Sequence, residues 1–208
     1  KAHGAIVEVG LQKRNSPIMR VLKKELKKSK ASVCYNLKYL TGAYPEGDAL
    51  LNLFIHPLDC MTYLFGEAQV KYAKGSGGHT LMLILEHRCA TGMLELSTGY
   101  SWNDAKEHWT INTVRGIYEM TQFDNLTFQP KPKIIMGIPT EKVFPCGKTT
   151  VSLLERNNFV PLQENKQIVS QGYYNTIKGF VDAVEGKKMR ELSSLDPPTH
   201  TSSLIENI

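Results

Sequence analysis

With 208 residues, 41% of them hydrophobic, the chain can bury a core without disulfide or metal staples, as one large domain or one domain with a piece of another. Its net charge of +5 is a mild excess, concentrated at Lys23, Lys24, Lys27, Lys28 and Lys30, and argues against a dedicated nucleic-acid binder. Asn52, His56 and Asp59 break the longest apolar run, so no membrane span is read.

Residues 1–4 read as a helix tail with its glycine stop, followed by a strand over 5–11. A chain opening on a helix tail is expected to have lost what came before. Ser16 followed by Pro17 is a strong helix start, with the serine as N-cap and the proline in the first turn. Ile18, Met19, Val21, Leu22 and Leu26 make its buried face, and the lysines its solvated one. Residues 31–41 alternate, with Val33, Tyr35, Leu37 and Tyr39 on one side of a half-buried strand. A loop over 42–47 leads to the apolar stretch 47–66.

Downstream, strands are expected at 69–72, 80–88, 92–98, 109–113, 116–123 and 125–129, separated by turn signals and too close together for parallel crossovers. Leu81, Leu83 and Leu85 alternate with Met82 and Ile84, so this part of the sheet is apolar on both faces. One face is expected against helices and the other against a partner subunit. Residues 131–167, with Pro132, Pro139, Pro145 and Pro161, read as a long excursion with one or two edge strands. Ile177, Phe180, Val181 and Val184 define an amphipathic helix closed by Gly186, and a short helix follows in the tail after residue 188. The sum is an α+β fold, a large, mostly antiparallel sheet with helices on one face. Cys34, Cys60, Cys89 and Cys146 lie far apart in mostly apolar surroundings, which reads as buried, reduced thiols of a cytoplasmic protein and gives no metal site.

The stretch 47–66 is the candidate functional element. Its length suits a helix entered at Asp48 and ended by Gly66, and Asp48, Asn52, His56, Asp59 and Tyr63 fall on one narrow stripe at helical spacing. Such a helix is buried on most sides and opens one edge onto something polar. Asn52 and His56, one turn apart, can touch the same small molecule. The alternative is a satisfied core histidine with Asn52 and Asp59 capping local backbone. Pro57 removes a backbone donor and implies a kink just after His56.

Taken in order, Val9-Gly10-Leu11-Gln12-Lys13-Arg14-Asn15-Ser16-Pro17 before a helix, the strand around Tyr35 and Tyr39, and the helix ending at Gly186 resemble the Gfo/Idh/MocA family of nicotinamide-dependent oxidoreductases. The stretch 47–66 is similar to that family's Gly-x-Leu-x-Asp/Asn-x-Gly-x-His-x-x-Asp helix, with Phe54 where the family has glycine two before the histidine. The resemblance implies a Rossmann domain followed by a C-terminal domain with an open sheet. Residues 1–15 would then be the remnant of the last Rossmann helix and strand, and 16–208 the substrate-binding and oligomerisation domain. It assigns His56 as the catalytic histidine that hydrogen-bonds the oxidised hydroxyl, a role suited to a side chain titrating near about 6.5. Asn52 would orient the hydroxyl or the imidazole. Gln12 and Lys13 would line the substrate pocket, with Asp59 beside them in a mainly structural role.

The implied parent enzyme uses NAD or NADP on a sugar, nucleotide-sugar or cyclitol hydroxyl. Its partners would be that sugar-like substrate, the Rossmann domain of the same protein, and further copies of the chain through the open sheet face. This chain carries no G-x-G-x-x-G after a strand, so alone it is expected to be inactive and to hold no cofactor. The other reading is a non-catalytic module of the same fold that binds a sugar-like ligand or a protein. No G-x-S-x-G elbow or metal-spaced cluster favours a hydrolase.

Overall fold

The computed structural model describes residues 9–29, 32–144, 147–157, 159, 162–187 and 196–208, without the side chains of 164 and 196–199. The helix tail and most of the strand expected at the start, and Cys146, lie outside these residues.

The framework is one eight-stranded sheet. In chain order its strands are β1 (Val33–Leu40), β2 (Ala68–Ser76), β3 (Thr80–His87), β4 (Ala90–Ser97), β5 (Lys106–Thr113), β6 (Gly116–Thr121), β7 (Asn125–Pro130) and β10 (Val151–Glu155). Across the sheet the order is β10-β7-β6-β5-β1-β4-β3-β2. β1 sits at the centre, parallel to β4 and antiparallel to β5, and all other pairs are antiparallel. Strands joined by tight turns can only pair this way, whereas between β1 and β4 the chain passes through a helix and two further strands. Two residues each of β8 (Ile134–Ile135) and β9 (Ile138–Pro139) make a separate small hairpin inside the expected excursion.

One sheet face is the core. Tyr35 and Leu37 on β1, Leu83 and Leu85 on β3, Leu94 and Leu96 on β4, and Trp109 and Ile111 on β5 all point into it. Helices α1 (Pro17–Leu26), α2 (Ile55–Phe65) and α5 (Asp196–Glu206) cover that face with Ile18, Met19, Leu22, Leu58, Met61 and Leu204. Gly92 lies across from Tyr35 in register, and a Cβ there would fall 1.8 Å from the Tyr35 ring, so the ring can lie flat on the sheet only over glycine. Helix α1 starts as the sequence implies, with Ser16 Oγ accepting from the Met19 N–H at 3.2 Å. Two further helices, α3 (Gln167–Ser170) and α4 (Tyr173–Val184), lie beside α1 and the 3-10 turn Gln12–Asn15.

The structure departs from expectation in four places. Cys34 and Cys89 are exposed, because alternation along β1 turns Cys34 to the open face and Cys89 sits in the turn after β3; Cys60 is buried. Strand β2 is longer than its apolar pattern, since an exposed edge strand with Lys71, Lys74 and a register shift after Val70 needs no buried alternation. Helix α2 is preceded by a π-helical turn, Leu50–Phe54, in which the Ile55 N–H reaches back five residues to the Leu50 carbonyl. The wider turn accommodates Pro57, whose ring and missing N–H disturb a regular ladder at this point. Finally, the apolar side of α4 is uncovered: Ile177, Phe180, Val181 and Val184 are all exposed, and only Ala183 is buried.

Gly172, at φ +90°, turns the chain into α4 so tightly that a Cβ would come within 2.0 Å of the Gln12 carbonyl oxygen. Gly172→Ala should therefore cost about 2–4 kcal/mol from backbone strain and overlap together. Urea denaturation measures this, and an unchanged midpoint would contradict the close approach of α4 to the turn at 12–15.

Candidate functional site

Four consecutive polar residues, Gln12, Lys13, Arg14 and Asn15, are all buried. Polar side chains survive burial only with partners, and this turn is laid out by the partners it finds. The Arg14 guanidinium donates from Nε and Nη2 to the two carboxylate oxygens of Asp59 on α2. Thr201 on α5 donates to Asp59 Oδ1 at 3.0 Å and its hydroxyl lies 3.0 Å from that of Thr62. Asn15 Nδ2 donates to Thr176 Oγ1 at 2.8 Å, and Asn175 returns a 2.8 Å bond to the Asn15 carbonyl. The turn is thereby bound to α2 and α4.

With Arg14 and Asn15 fixed, Lys13 projects to Glu107 on β5 and forms a buried ion pair with its Oε2. The ammonium also sits 4.9 Å from the ring centres of both Tyr39 and Phe123. Burial works to lower its proton affinity, but the Glu107 carboxylate outweighs it and leaves Lys13 above its ordinary value. Lys13 is a cation at neutral pH.

Beside this pair opens a cavity of about 790 Å³. Gln12, Lys13, Tyr39, His56 and Glu107 line its inner part; Trp102, Lys106, Gln167 and Tyr173 are exposed and form its outer part. Trp102 is held by a 2.8 Å bond from Nε1 to the Ala43 carbonyl and lies over Gly42. His56 is half-buried. Burial first, and then the Lys13 cation, push its imidazole down to about 4, so it is neutral at physiological pH. Its Nδ1 is buried with no hydrogen-bond partner.

Three residues expected from the sequence thus meet in one cavity: His56, Gln12 and Lys13. The other two do not line it. Asn52 is exposed, because the π-helical turn breaks the spacing that would stack it on His56, and Asp48 spends its carboxylate capping the Leu50 and Leu51 N–H groups at 2.7 and 3.1 Å. Asp59 faces Arg14 in the interior and takes no place on the cavity wall. Glu107 went unread. Strand β5 begins three residues before the apolar pattern does, yet counting back by two from Ile111 and Trp109 puts a carboxylate on the core face, which was the available signal. Among the described residues no cluster of three or more His, Cys, Asp or Glu is placed to hold a metal, and no helix is long and apolar enough to cross a membrane.

No protein-family model matches the chain, and no curated protein matches it in sequence. Solved structures do. A dehydrogenase from Chromobacterium violaceum superposes with a TM-score of 0.71 at 15% identity, over 98% of this chain and 60% of the other. A Gfo/Idh/MocA family oxidoreductase from Vibrio cholerae gives 0.63 at 15%, over 96% of this chain and 59% of the other. The fold is that of the Gfo/Idh/MocA oxidoreductases. KijD10, a 3-ketoreductase from Actinomadura kijaniata in complex with TDP-benzene and NADP, gives 0.69 at 12% identity, over 100% of this chain and 61% of the other. The chain spans about three fifths of the length of these structures.

This chain's described residues do not fit the dinucleotide that such a fold implies. Nucleotide phosphates are held where a glycine-rich turn leads from a strand into a helix. Here Gly75, Gly77 and Gly78 sit at the hairpin joining two strands, β2 and β3, and Gly42 on the way to α2 is packed under Trp102.

The depressed His56 titration has a definite sign. Unfolded, the imidazole takes its proton near 6.5; folded, only near about 4. Between those values the unfolded state binds more protons, so stability is highest above the window and falls as pH is lowered through it. NMR titration of the His56 ring should give a midpoint near about 4. In His56→Gln the loss of stability between these two pH values should be smaller than in the wild type, and a midpoint at the ordinary value would contradict the burial and the neighbouring cation.

Proposed function

We propose that this chain is the C-terminal, substrate-binding part of an NAD(P)-dependent oxidoreductase acting on a hydroxyl of a sugar, nucleotide sugar or cyclitol. Residues 1–15 would continue from a Rossmann domain that holds the cofactor, and 16–208 would form the substrate-binding and oligomerisation domain. His56 carries this reading: a neutral, half-buried imidazole next to a fixed ammonium, on the wall of a cavity large enough for a sugar ring. A neutral imidazole can accept the proton of a substrate hydroxyl. The Lys13 cation beside it helps keep the imidazole in that proton-accepting form. Amide side chains around the cavity, Gln12, Gln122, Gln167 and Gln171, supply both donors and acceptors and suit a ligand bearing several hydroxyls. KijD10, a 3-ketoreductase crystallised with TDP-benzene and NADP, has the same fold and is in keeping with a nucleotide-linked substrate.

Two uncovered surfaces fit the proposed partners. The apolar side of α4 adjoins the cavity, with Ile177 on the cavity wall, and is the surface a cofactor domain would dock on to close it. The open sheet face suits a second copy of the chain. Tyr72, Ile84 and Met93 make an exposed apolar row across β2, β3 and β4. The charges near them are paired within the face, Lys38 with Glu95 at 3.2 Å and Lys71 with Glu86 at 2.8 Å, so an identical face meets no field of one sign.

In the full-length parent, His56→Gln should lower kcat by about 10²–10⁴-fold while KM moves much less, since glutamine keeps a hydrogen bond but shuttles no proton at neutral pH. Wild-type kcat in a well-folded variant would remove His56 from the mechanism and leave a binding module. Light scattering should give a dimer or larger assembly that Ile84→Lys combined with Met93→Lys dissociates; a monomer at micromolar concentration would sink the sheet-face contact.

A further inference from the structure

Glu107 belongs to none of the motifs that point to the site, yet it is the acidic side chain buried in the cavity wall. Its surroundings are built. Gln122 adopts φ +55°, a left-handed backbone that a non-glycine residue takes only when held there. Its side chain spans the start of β5, accepting from the Glu107 N–H at 2.8 Å and donating to the Ala105 carbonyl at 2.7 Å. Its own backbone N–H donates to the Glu107 carbonyl at 2.9 Å, and Gln171 Nε2 reaches its carbonyl at 3.2 Å. The clamp fixes the backbone from which the Glu107 carboxylate meets Lys13.

The carboxylate is only half used. Oε2 accepts from Lys13, whereas Oε1 is buried with no partner, as is His56 Nδ1 on the same cavity wall. A buried carboxylate oxygen without a donor is costly, and hydrophobic residues would fill the space at lower cost were packing alone the purpose. Lys13, meanwhile, is fully occupied by Glu107 and two aromatic rings. The inner end of the cavity therefore holds one cation and one anion that cancel, beside a neutral histidine.

We propose that Glu107, positioned by Gln122, is a specificity-determining residue: by engaging Lys13 it keeps the inner end of the cavity closed to anionic groups and open to uncharged hydroxyl-bearing ones. This rests on the reading of the cavity as the substrate site. A carboxylate or phosphate entering beside His56 would find the ammonium already neutralised and would face the Glu107 oxygens. A hydroxyl can both donate to and accept from the amides on the wall. Charged portions of a larger ligand are left to the outer part of the cavity, where Lys106 is exposed.

The test uses the 208-residue chain, with D-glucose as the neutral probe and D-glucuronate as the anionic one, followed by NMR shifts of Gln12, Tyr39 and the His56 ring. Wild type should respond to glucose and not to glucuronate. Glu107→Gln should respond to glucuronate, with the glucuronate-to-glucose affinity ratio raised at least about tenfold, the equivalent of about 1.4 kcal/mol. Should Glu107→Gln fail to fold, Lys13→Met combined with Glu107→Gln removes both charges. That pair should reject glucuronate still, and bring the His56 midpoint up from about 4 toward its ordinary value. An unchanged ratio in folded Glu107→Gln, glucuronate binding to the wild type, or an unmoved His56 midpoint in the double variant overturns the proposal. A wild type silent to glucose sinks the sugar reading instead, and gain of glucuronate binding in Glu107→Gln then still decides the role of Glu107.

Discussion

The ion pair between Arg14 and Asp59 is the interaction on which the rest of the site depends. Both side chains are almost wholly enclosed. Taking two charges out of water is expensive, and their attraction repays it only with good geometry and further hydrogen bonds, here the two-pronged guanidinium contact and the Thr201 hydroxyl. Such a pair adds little net stability over apolar packing, but loss of either partner strands a buried charge at about 3–5 kcal/mol. Its effect is geometric. It fixes the turn at 12–15 against α2, and because Gln12, Lys13 and Asn15 are its neighbours in the chain, their directions follow.

From that anchor the site is assembled across elements far apart in sequence. Lys13 comes from the turn before α1, His56 from α2, Tyr39 from β1 and Glu107 from β5. The second ion pair differs from the first. Arg14 and Asp59 lie in the interior, whereas Lys13 and Glu107 stand on a cavity wall, where their charges act on whatever enters and on His56. One cation thus serves two purposes: balanced by Glu107 it leaves the wall neutral overall, and placed near the imidazole it helps keep it unprotonated.

Among the described residues, apolar surface is left uncovered on α4, on the half of the open sheet face formed by β2 to β4, and on the small hairpin of β8 and β9. Helix α4 has the amphipathic period of a packed helix, yet its apolar side is the exposed one. Its polar residues Asn175 and Thr176 are the ones engaged inside, with Asn15. Contiguous exposed apolar surface of this kind marks contact surfaces, and the cavity opens beside one of them.

What the sequence determined by itself were the features that depend on local pattern. Alternation placed β1, because a half-buried strand must alternate, and turn signals between short runs placed β3 to β7. Ser16-Pro17 placed the start of α1, because capping chemistry is local. The polar residues within an apolar run marked α2, and with it His56. Only tertiary structure decided the rest. The π-helical turn ahead of Pro57 parts Asn52 from His56, and no residue spacing reveals a change of helical pitch. Whether the apolar side of α4 or the open sheet face is covered depends on what packs there, which a periodic pattern does not encode. Above all, Glu107 joined Lys13 across 94 positions of the chain. A carboxylate's partner is chosen by the register of β5 against β1 and by the turn that Arg14 anchors, and both are properties of the folded sheet and not of any stretch of sequence.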